Sequence, residues 1–278
     1  MLRNLGLCFI LFSLMANSLA QEPLRFGVLN QRSVLLTAQL WNPILNYVTA
    51  KTGVPLVLKM GKTADETLVM TVRGEFDFVY SNHLFTPDRD KLGYHVIARF
   101  KNEGISGMVV TSIDSPYQKL IDLQGKVVAF PTPNGFSAYA LPMDGLLRAG
   151  VHMQSVFVGN QEAALSNVQY GKAAAAGVNN IVYANYIQRE KAKFRVLYQS
   201  PYYYDLPVMA NPRVPASTVG AVQLALVSMG QDTEGQRILA AAQQLLHQSE
   251  SVQFISANDS DYDNYRTFYR LQMQGGEE

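Results

Sequence analysis

Cysteine is nearly missing from this chain: Cys8 is the single example in 278 residues. That excludes disulfide frameworks and cysteine-based zinc sites. Histidine is almost as sparse, with His83, His95, His152 and His247 dispersed along the sequence and no His-Glu-x-x-His spacing. Little is left to hold a transition metal, and no metal or cofactor is expected. An excess of one charge is lacking too. Lys+Arg number 23 against Asp+Glu 22, a formal net charge of +1, so no basic field exists to hold nucleic acid or an anionic membrane. Any bound anion must be held by local geometry. After residue 20 no stretch reaches about 18 consecutive apolar residues, the length of a membrane-spanning helix. No internal repeat is present. What is there is a chain 48% hydrophobic and 16% charged, too apolar for disorder and long enough for one large domain or two lobes.

The first twenty residues stand apart. Met1-Leu2-Arg3 carries one positive charge, Leu5 to Met15 is apolar, and Ser18-Leu19-Ala20 places small residues where a signal peptidase cuts. Residues 1–20 are expected to be a signal peptide cleaved near Ala20, with a retained anchor as the alternative. Cys8 lies inside the apolar run, which suits a lipoprotein cysteine poorly. Cleavage removes Arg3 and no acid, leaving equal numbers of positive and negative side chains and no cysteine. Such a chain is expected in the periplasm, with a core large enough to need no staples.

Beyond the leader, strands and helices alternate, which predicts an α/β protein with mostly parallel sheets. Leu24 to Leu29, Val54 to Lys59 and Phe76 to Tyr80 are expected strands, separated by helices over Val34 to Lys51 and Thr63 to Arg73. A second cycle places strands at Gly107 to Thr111, Lys126 to Phe130, Ser155 to Val158, Ala174 to Val178 and Phe194 to Tyr198. Its helices are a short one at Pro116 to Leu120 and longer ones at Ser137 to Ala149, Gln161 to Tyr170 and Ile181 to Arg189. Ser200-Pro201-Tyr202-Tyr203-Tyr204-Asp205-Leu206-Pro207 is too irregular for one element. Helices over Ser217 to Met229 and Glu234 to His247 follow, and the Tyr-rich tail from Asp259 to Arg270 is expected to dock on the surface as a last helix. The organisation is then a first lobe over 21–108, a second over 109–200, and a return to the first over 201–278. Two lobes joined by two crossings form a cleft, and in open parallel sheets ligands sit beyond the carboxyl ends of the strands. The loops after Leu29, Tyr80, Phe130, Val158 and Val178 are therefore the candidates.

The loop after Phe130 is the sharpest of these. Pro131-Thr132-Pro133-Asn134-Gly135 hands over to a helix start, where backbone N–H groups are unpaired and the dipole is positive. Ser137 adds a hydroxyl. An ordinary capped helix is the competing reading. In the first lobe, Gln31-Arg32-Ser33 opens another helix, and the planar guanidinium of Arg32 suits an oxyanion or a carboxylate unless it is simply solvated. Tyr80-Ser81-Asn82-His83 ends the third strand, with His83 either donating to an oxyanion or satisfying a loop carbonyl.

The run Phe130-Pro131-Thr132-Pro133-Asn134-Gly135-Phe136-Ser137-Ala138-Tyr139-Ala140-Leu141-Pro142, followed by Leu146-Leu147-Arg148-Ala149-Gly150-Val151, resembles the signature loop of the phosphate/phosphite/phosphonate-binding (PhnD-like) periplasmic proteins. Leu24 to Leu29, Trp41-Asn42-Pro43, Arg73-Gly74-Glu75-Phe76-Asp77, Ser200-Pro201 and Leu206-Pro207 look like further landmarks of that family, so the similarity spans nearly all of the chain after the leader. The resemblance implies the type II periplasmic-binding-protein fold, with a ligand clamped between two lobes joined by two hinge crossings. It also implies contacts from Thr132, Gly135, Phe136, Ser137, Ala138 and Tyr139, and from Asn160 and Asn179. The departures matter. The family's Ser-Thr pair at the helix start is here Gly135 and Phe136, its histidine after the next strand is Asn160, and its acid after the small-residue strand is Asn179. An aminoalkyl phosphonate is thereby disfavoured, whereas phosphate is not. Phe136 either lines a pocket for a flatter, more apolar ligand or packs under the helix start.

Enzyme signatures fail on inspection. Gly135-Phe136-Ser137-Ala138-Tyr139 has Tyr139 where a nucleophile elbow needs glycine. Gly61-Lys62-Thr63 matches only the tail of a P-loop, because Leu56 stands at the earlier glycine position. The expectation is a non-enzymatic, monomeric solute-binding protein that closes on a small anionic or polar solute and delivers it to a membrane ABC permease. The alternative output is a ligand signal to a membrane histidine kinase. No nucleic-acid partner is expected.

Overall fold

A computed structural model describes residues 22–30, 32–246 and 251–275. The expected signal peptide, Gln31 and His247 lie outside the described residues. The first strand, β1 (Leu24–Val28), runs into α1 (Val34–Thr52). Ser33 caps α1 by accepting from the Leu36 amide, and Gly53, at φ 71°, ends it in the left-handed conformation that glycine adopts without penalty. Thr37, Leu40, Trp41, Ile44, Leu45 and Val48 recur at helical spacing and form its buried face. Next come β2 (Leu56–Lys59), α2 (Ala64–Val72), β3 (Phe78–Tyr80), the single turn α3 (Pro87–Asp90) and β4 (His95–Phe100). The chain then crosses to β5 (Gly107–Ser112) and β6 (Val127–Phe130). A wide turn (Phe136–Ala140) leads directly into α4 (Leu141–Arg148), followed by β7 (Gln154–Phe157), α5 (Gln161–Gln169), β8 (Ala175–Asn179), α6 (Asn180–Glu190) and β9 (Phe194–Gln199). It crosses back to β10 (Pro207–Ala210) and ends with α7 (Ala216–Val227), α8 (Thr233–Leu246), β11 (Phe254–Ser256) and α9 (Asp263–Gly275).

Two sheets result, in the orders β11-β4-β10-β3-β1-β2 and β7-β6-β8-β5-β9. They are mixed rather than mostly parallel. β1 pairs parallel with β2 and β3, and β6 with β7 and β8, but β10, β4 and β11 pair antiparallel, as do β5–β8 and β5–β9. The antiparallel strands are those beside the crossings and the C-terminal edge. A strand entering a sheet from the other half starts at the end where its neighbours finish, so it must run against them. Between the sheets the two crossings pair with each other: the Ile105 amide donates to the Tyr203 carbonyl at 2.7 Å, and Tyr203 returns the bond to Ile105 at 2.8 Å.

The first sheet buries both faces. On one, Trp41 packs against Phe26 (4.9 Å between centroids), Tyr80 (4.8 Å) and Phe100 (5.9 Å), with α7 and α8 completing the layer. On the other, Phe76, Val79, Phe85, Tyr94 and Met209 meet Tyr262, Tyr265 and Phe268 of the C-terminal segment. Tyr262 and Tyr265 are fully buried, so the tail is core and not a surface appendage. Desolvating that much aromatic area outweighs the cost of ordering a polar helix, provided each hydroxyl finds an acceptor. Both do: Tyr262 donates to the Asp205 carbonyl at 2.7 Å and Tyr265 to the Tyr204 carbonyl at 2.6 Å. Asp77, part of the Arg-Gly-Glu-Phe-Asp landmark, has a structural task. It accepts from the Arg25 amide at 2.7 Å and pairs with Arg213 at 2.9 Å. No helix among the described residues is long and apolar enough to cross a membrane.

Candidate functional site

In the second sheet the adjacent strands β7, β6 and β8 are parallel, so their carboxyl ends bring the segments at 158–160, 131–138 and 179–180 to one edge. The Val158 amide donates to the Phe130 carbonyl at 2.9 Å and the Gly159 amide to the Pro131 carbonyl at 2.9 Å, which ties the first two together. After β6 the chain makes a wide turn: the Tyr139 and Ala140 amides both return to the Gly135 carbonyl, at 3.1 and 2.9 Å. The amides of Phe136, Ser137 and Ala138 precede those first bonds and lie outside the helical ladder. Two glycines let this turn lie down on the sheet. A Cβ on Gly107 would stand 2.5 Å from the Ser137 carbonyl oxygen, and one on Gly177 2.7 Å from that of Ala138.

Side chains around this turn divide sharply. Ser137 and Tyr139 are half-buried and Thr132 is exposed. Tyr139 packs edge-on against Phe130 (5.1 Å) and Phe157 (5.3 Å). Phe136 does not line an open pocket. It is 4% exposed and stacks on Tyr265 at 4.2 Å. Asn160 and Asn179 are the N-caps of α5 and α6, their Oδ1 atoms accepting from the Ala163 and Val182 amides at 2.8 Å each. Capping commits the oxygen and leaves each Nδ2 as a donor, where a carboxylate would offer only acceptors.

The first sheet brings the ends of β1 and β3 together in the same way. Tyr80 is buried between Trp41 and Phe100, and burial pushes its hydroxyl well above the usual tyrosine range, with Asp205 adding to the effect. Ser81 donates its amide to the Pro207 carbonyl at 3.1 Å, and its hydroxyl accepts from the His83 amide at 3.1 Å. Asn82 is buried against the Tyr265 hydroxyl. His83 is held neutral: burial first, then Arg89, bring its pKa down to about 4 against the opposing pull of Asp65. Its buried Nδ1 has no partner among the described residues. Arg32 and Ser33 are exposed at the start of α1. Arg32 edges a groove of about 630 Å³ with Leu36 and the end of α8, yet remains within electrostatic reach of Tyr80 and Asp205.

Two features escape a reading of helix starts and parallel strand ends. Asp205 lies two residues before the antiparallel strand β10, whose beginning lies beside the carboxyl end of β3. Burial raises its carboxyl, while the Leu206 amide and Arg32 oppose the rise. An acid inside the apolar, proline-bounded run 200–207 was the available signal. The other is Asn134, whose Nδ2 donates to Asp65 Oδ1 of α2 at 2.7 Å, a direct bond between the halves carrying the two sheets. No group of three or more His, Cys, Asp or Glu among the described residues is arranged to hold a metal ion.

Comparison with known proteins places this arrangement. No curated protein matched the chain. Among solved structures, a binding-protein component of an ABC phosphonate transporter from Pseudomonas aeruginosa superposes with a TM-score of 0.70 at 16% identity, covering 90% of this chain and 87% of that one. PhnD1 from Prochlorococcus marinus, in complex with methylphosphonate, gives 0.70 at 16% identity over 90% and 97%. XAC2383 from Xanthomonas citri, bound to ATP, gives 0.66 at 16% over 82% and 99%. These likenesses establish the type II periplasmic-binding-protein fold. The family model described as ABC transporter, phosphonate, periplasmic substrate-binding protein matches residues 26–262. The chain therefore belongs to the family of periplasmic phosphonate-binding proteins of ABC transporters.

Proposed function

We propose that this protein closes its two lobes, residues 21–108 with 201–278 and residues 109–200, over a small phosphorus oxyanion and delivers it from the periplasm to a membrane ABC permease. The observation that carries this reading is the turn at 136–138. Three amides outside the helical ladder stand at the edge of the second sheet, with Asn160 and Asn179 donors beside them. Such a set holds an oxyanion by direction rather than by net charge, which suits a chain of balanced charge. Arg32, Tyr80, Ser81 and Asn82 supply the first-lobe face, with His83 as a neutral imidazole. Asp205 is a carboxylate at the hinge, so a ligand bearing both an oxyanion and a donor fits better than the substitution at Asn179 implies. One chain supplies both faces, and the protein works as a monomer.

Isothermal titration with methylphosphonate, phosphate, phosphite and sulfate tests the ligand class, with ATP as the bulky comparator. Binding of at least one phosphorus oxyanion is expected, and Arg32→Ala should weaken it more than tenfold. No heat with any phosphorus oxyanion overturns the reading. An unchanged affinity in Arg32→Ala returns that guanidinium to the groove beside α8.

A further inference from the structure

Phe136 is where the chain departs most from what the phosphonate-binding signature leads one to expect, and the structure gives the phenyl ring a definite place. It leaves the second half of the chain at the start of the wide turn and enters a nest of rings: Tyr265 at 4.2 Å, Tyr203 at 5.0 Å, Phe268 at 5.3 Å and Tyr269 at 5.7 Å. Tyr203 belongs to the returning crossing and the other three to α9. That helix is fastened to the first half. Tyr265 and Tyr262 donate to carbonyls of Tyr204 and Asp205, Arg266 pairs with Asp90 at 2.9 Å, and Phe85 stacks on Tyr262 at 5.1 Å. The ring therefore joins one half to the other through apolar contact alone. A second contact, from Asn134 to Asp65, joins the same loop to α2.

We propose that Phe136 is a hinge-side clasp that keeps the two halves together in the absence of any ligand. The inference rests on the reading that the halves open and close about the two crossings. Opening must draw a buried aromatic ring out of its nest or drag α9 from the first half, and either exposes apolar surface to water. In a protein where the ligand alone bridges the lobes, the closed form is rare until the ligand arrives. Here part of that closing free energy is built into the chain, so the ligand-free population lies toward the closed form. The loop that offers amides to the oxyanion is then already set against the first half when the ligand enters.

The test reads lobe separation without ligand. Spin labels are placed at Lys62→Cys and Lys172→Cys, both exposed and on opposite halves, in the full-length chain carrying Cys8→Ser, and their distance distribution is measured by double electron–electron resonance. The expected result is a predominantly short separation in the otherwise unaltered protein, shifted at least tenfold toward a longer one by Phe136→Ala and left in place by Phe136→Tyr. If Phe136→Ala does not fold, Phe136→Val carries the same comparison, since it stays apolar but withdraws the ring from Tyr265, Tyr203 and Phe268. A predominantly long separation without ligand overturns the clasp. So does a folded Phe136→Ala with an unaltered distribution, whether or not the double variant Asp65→Ala/Asn134→Ala opens. A separation that changes in no variant and with no added methylphosphonate overturns the hinge motion itself.

Discussion

At the scale of single residues, His83 shows how burial decides chemistry. An imidazole in water titrates near 6.5, but this one is held to about 4 by desolvation, with Arg89 adding to the shift and Asp65 opposing it. The folded state therefore binds fewer protons than the unfolded chain between those values. Stability from this residue is complete above about pH 6.5 and falls as the pH drops toward 4, by about 3 kcal/mol in all. Urea titrations of the wild type and His83→Gln at pH 7.5, 5.5 and 4.5 check this. The wild type should lose more stability on acidification than the variant, and parallel losses would show that the imidazole is not the group responsible. The identity of His83 as a loop residue near the site is plain from Tyr80-Ser81-Asn82-His83. Its neutrality is not, because that follows from burial in the folded chain and from the approach of Arg89.

At the scale of elements, the α9 segment makes the sharpest prediction. A polar, Tyr-rich tail has the composition of a surface helix, yet Tyr262, Tyr265 and Phe268 close one face of the first sheet. Deleting residues 259–278 strips three buried aromatic side chains from that face, and each costs roughly 3–5 kcal/mol when lost from a core. Together they are comparable to the whole stability of an ordinary domain. The truncated protein should lack a cooperative thermal transition, and a truncated form melting within a few degrees of the full chain would show that the aromatic layer is dispensable. The same scale explains which strands the sequence conceals. β1, β5, β6 and β8 follow glycine-punctuated helix–strand alternation and are legible. β4, β10 and β11 are not. β10 and β11 are short, β10 begins at a proline, and β4 and β10 are largely buried, so no two-residue alternation marks them. The concealment of β10 hides Asp205 as well, since a residue just ahead of an antiparallel strand joins the site only through that strand's pairing with β3.

At the scale of the whole molecule, ligand binding and stability are linked. A ligand that contacts both halves and has no affinity for the unfolded chain stabilises the fold by about 2.7 kcal/mol at one hundred times its dissociation constant. Differential scanning calorimetry with methylphosphonate over a hundredfold concentration range should show a midpoint that climbs with concentration. A midpoint independent of ligand, for a compound that titration shows to bind, would mean that the bound halves do not unfold as one unit. The clasp adds a constraint. Relieving it by Phe136→Ala should lower the ligand-free midpoint and also shrink the ligand-induced rise at a given concentration, because part of the binding free energy is then spent on closing and the apparent affinity falls.

The amino-acid sequence by itself determined the class of this protein: an α/β chain of balanced charge with anion-suited helix starts, no cysteine after Cys8, and landmarks of a binding-protein family along most of its length. These are local or compositional properties, carried by periodicity, caps, glycines and short motifs, and they need no knowledge of what packs against what. Tertiary structure alone decided that Phe136 is buried against α9, that Asn134 reaches Asp65, that the tail is core, and that Asp205 lies beside Tyr80. Each depends on residues far apart in the chain meeting across a sheet or a hinge. Pairing of that kind is set by the total burial of apolar surface, and no single segment of the sequence records it.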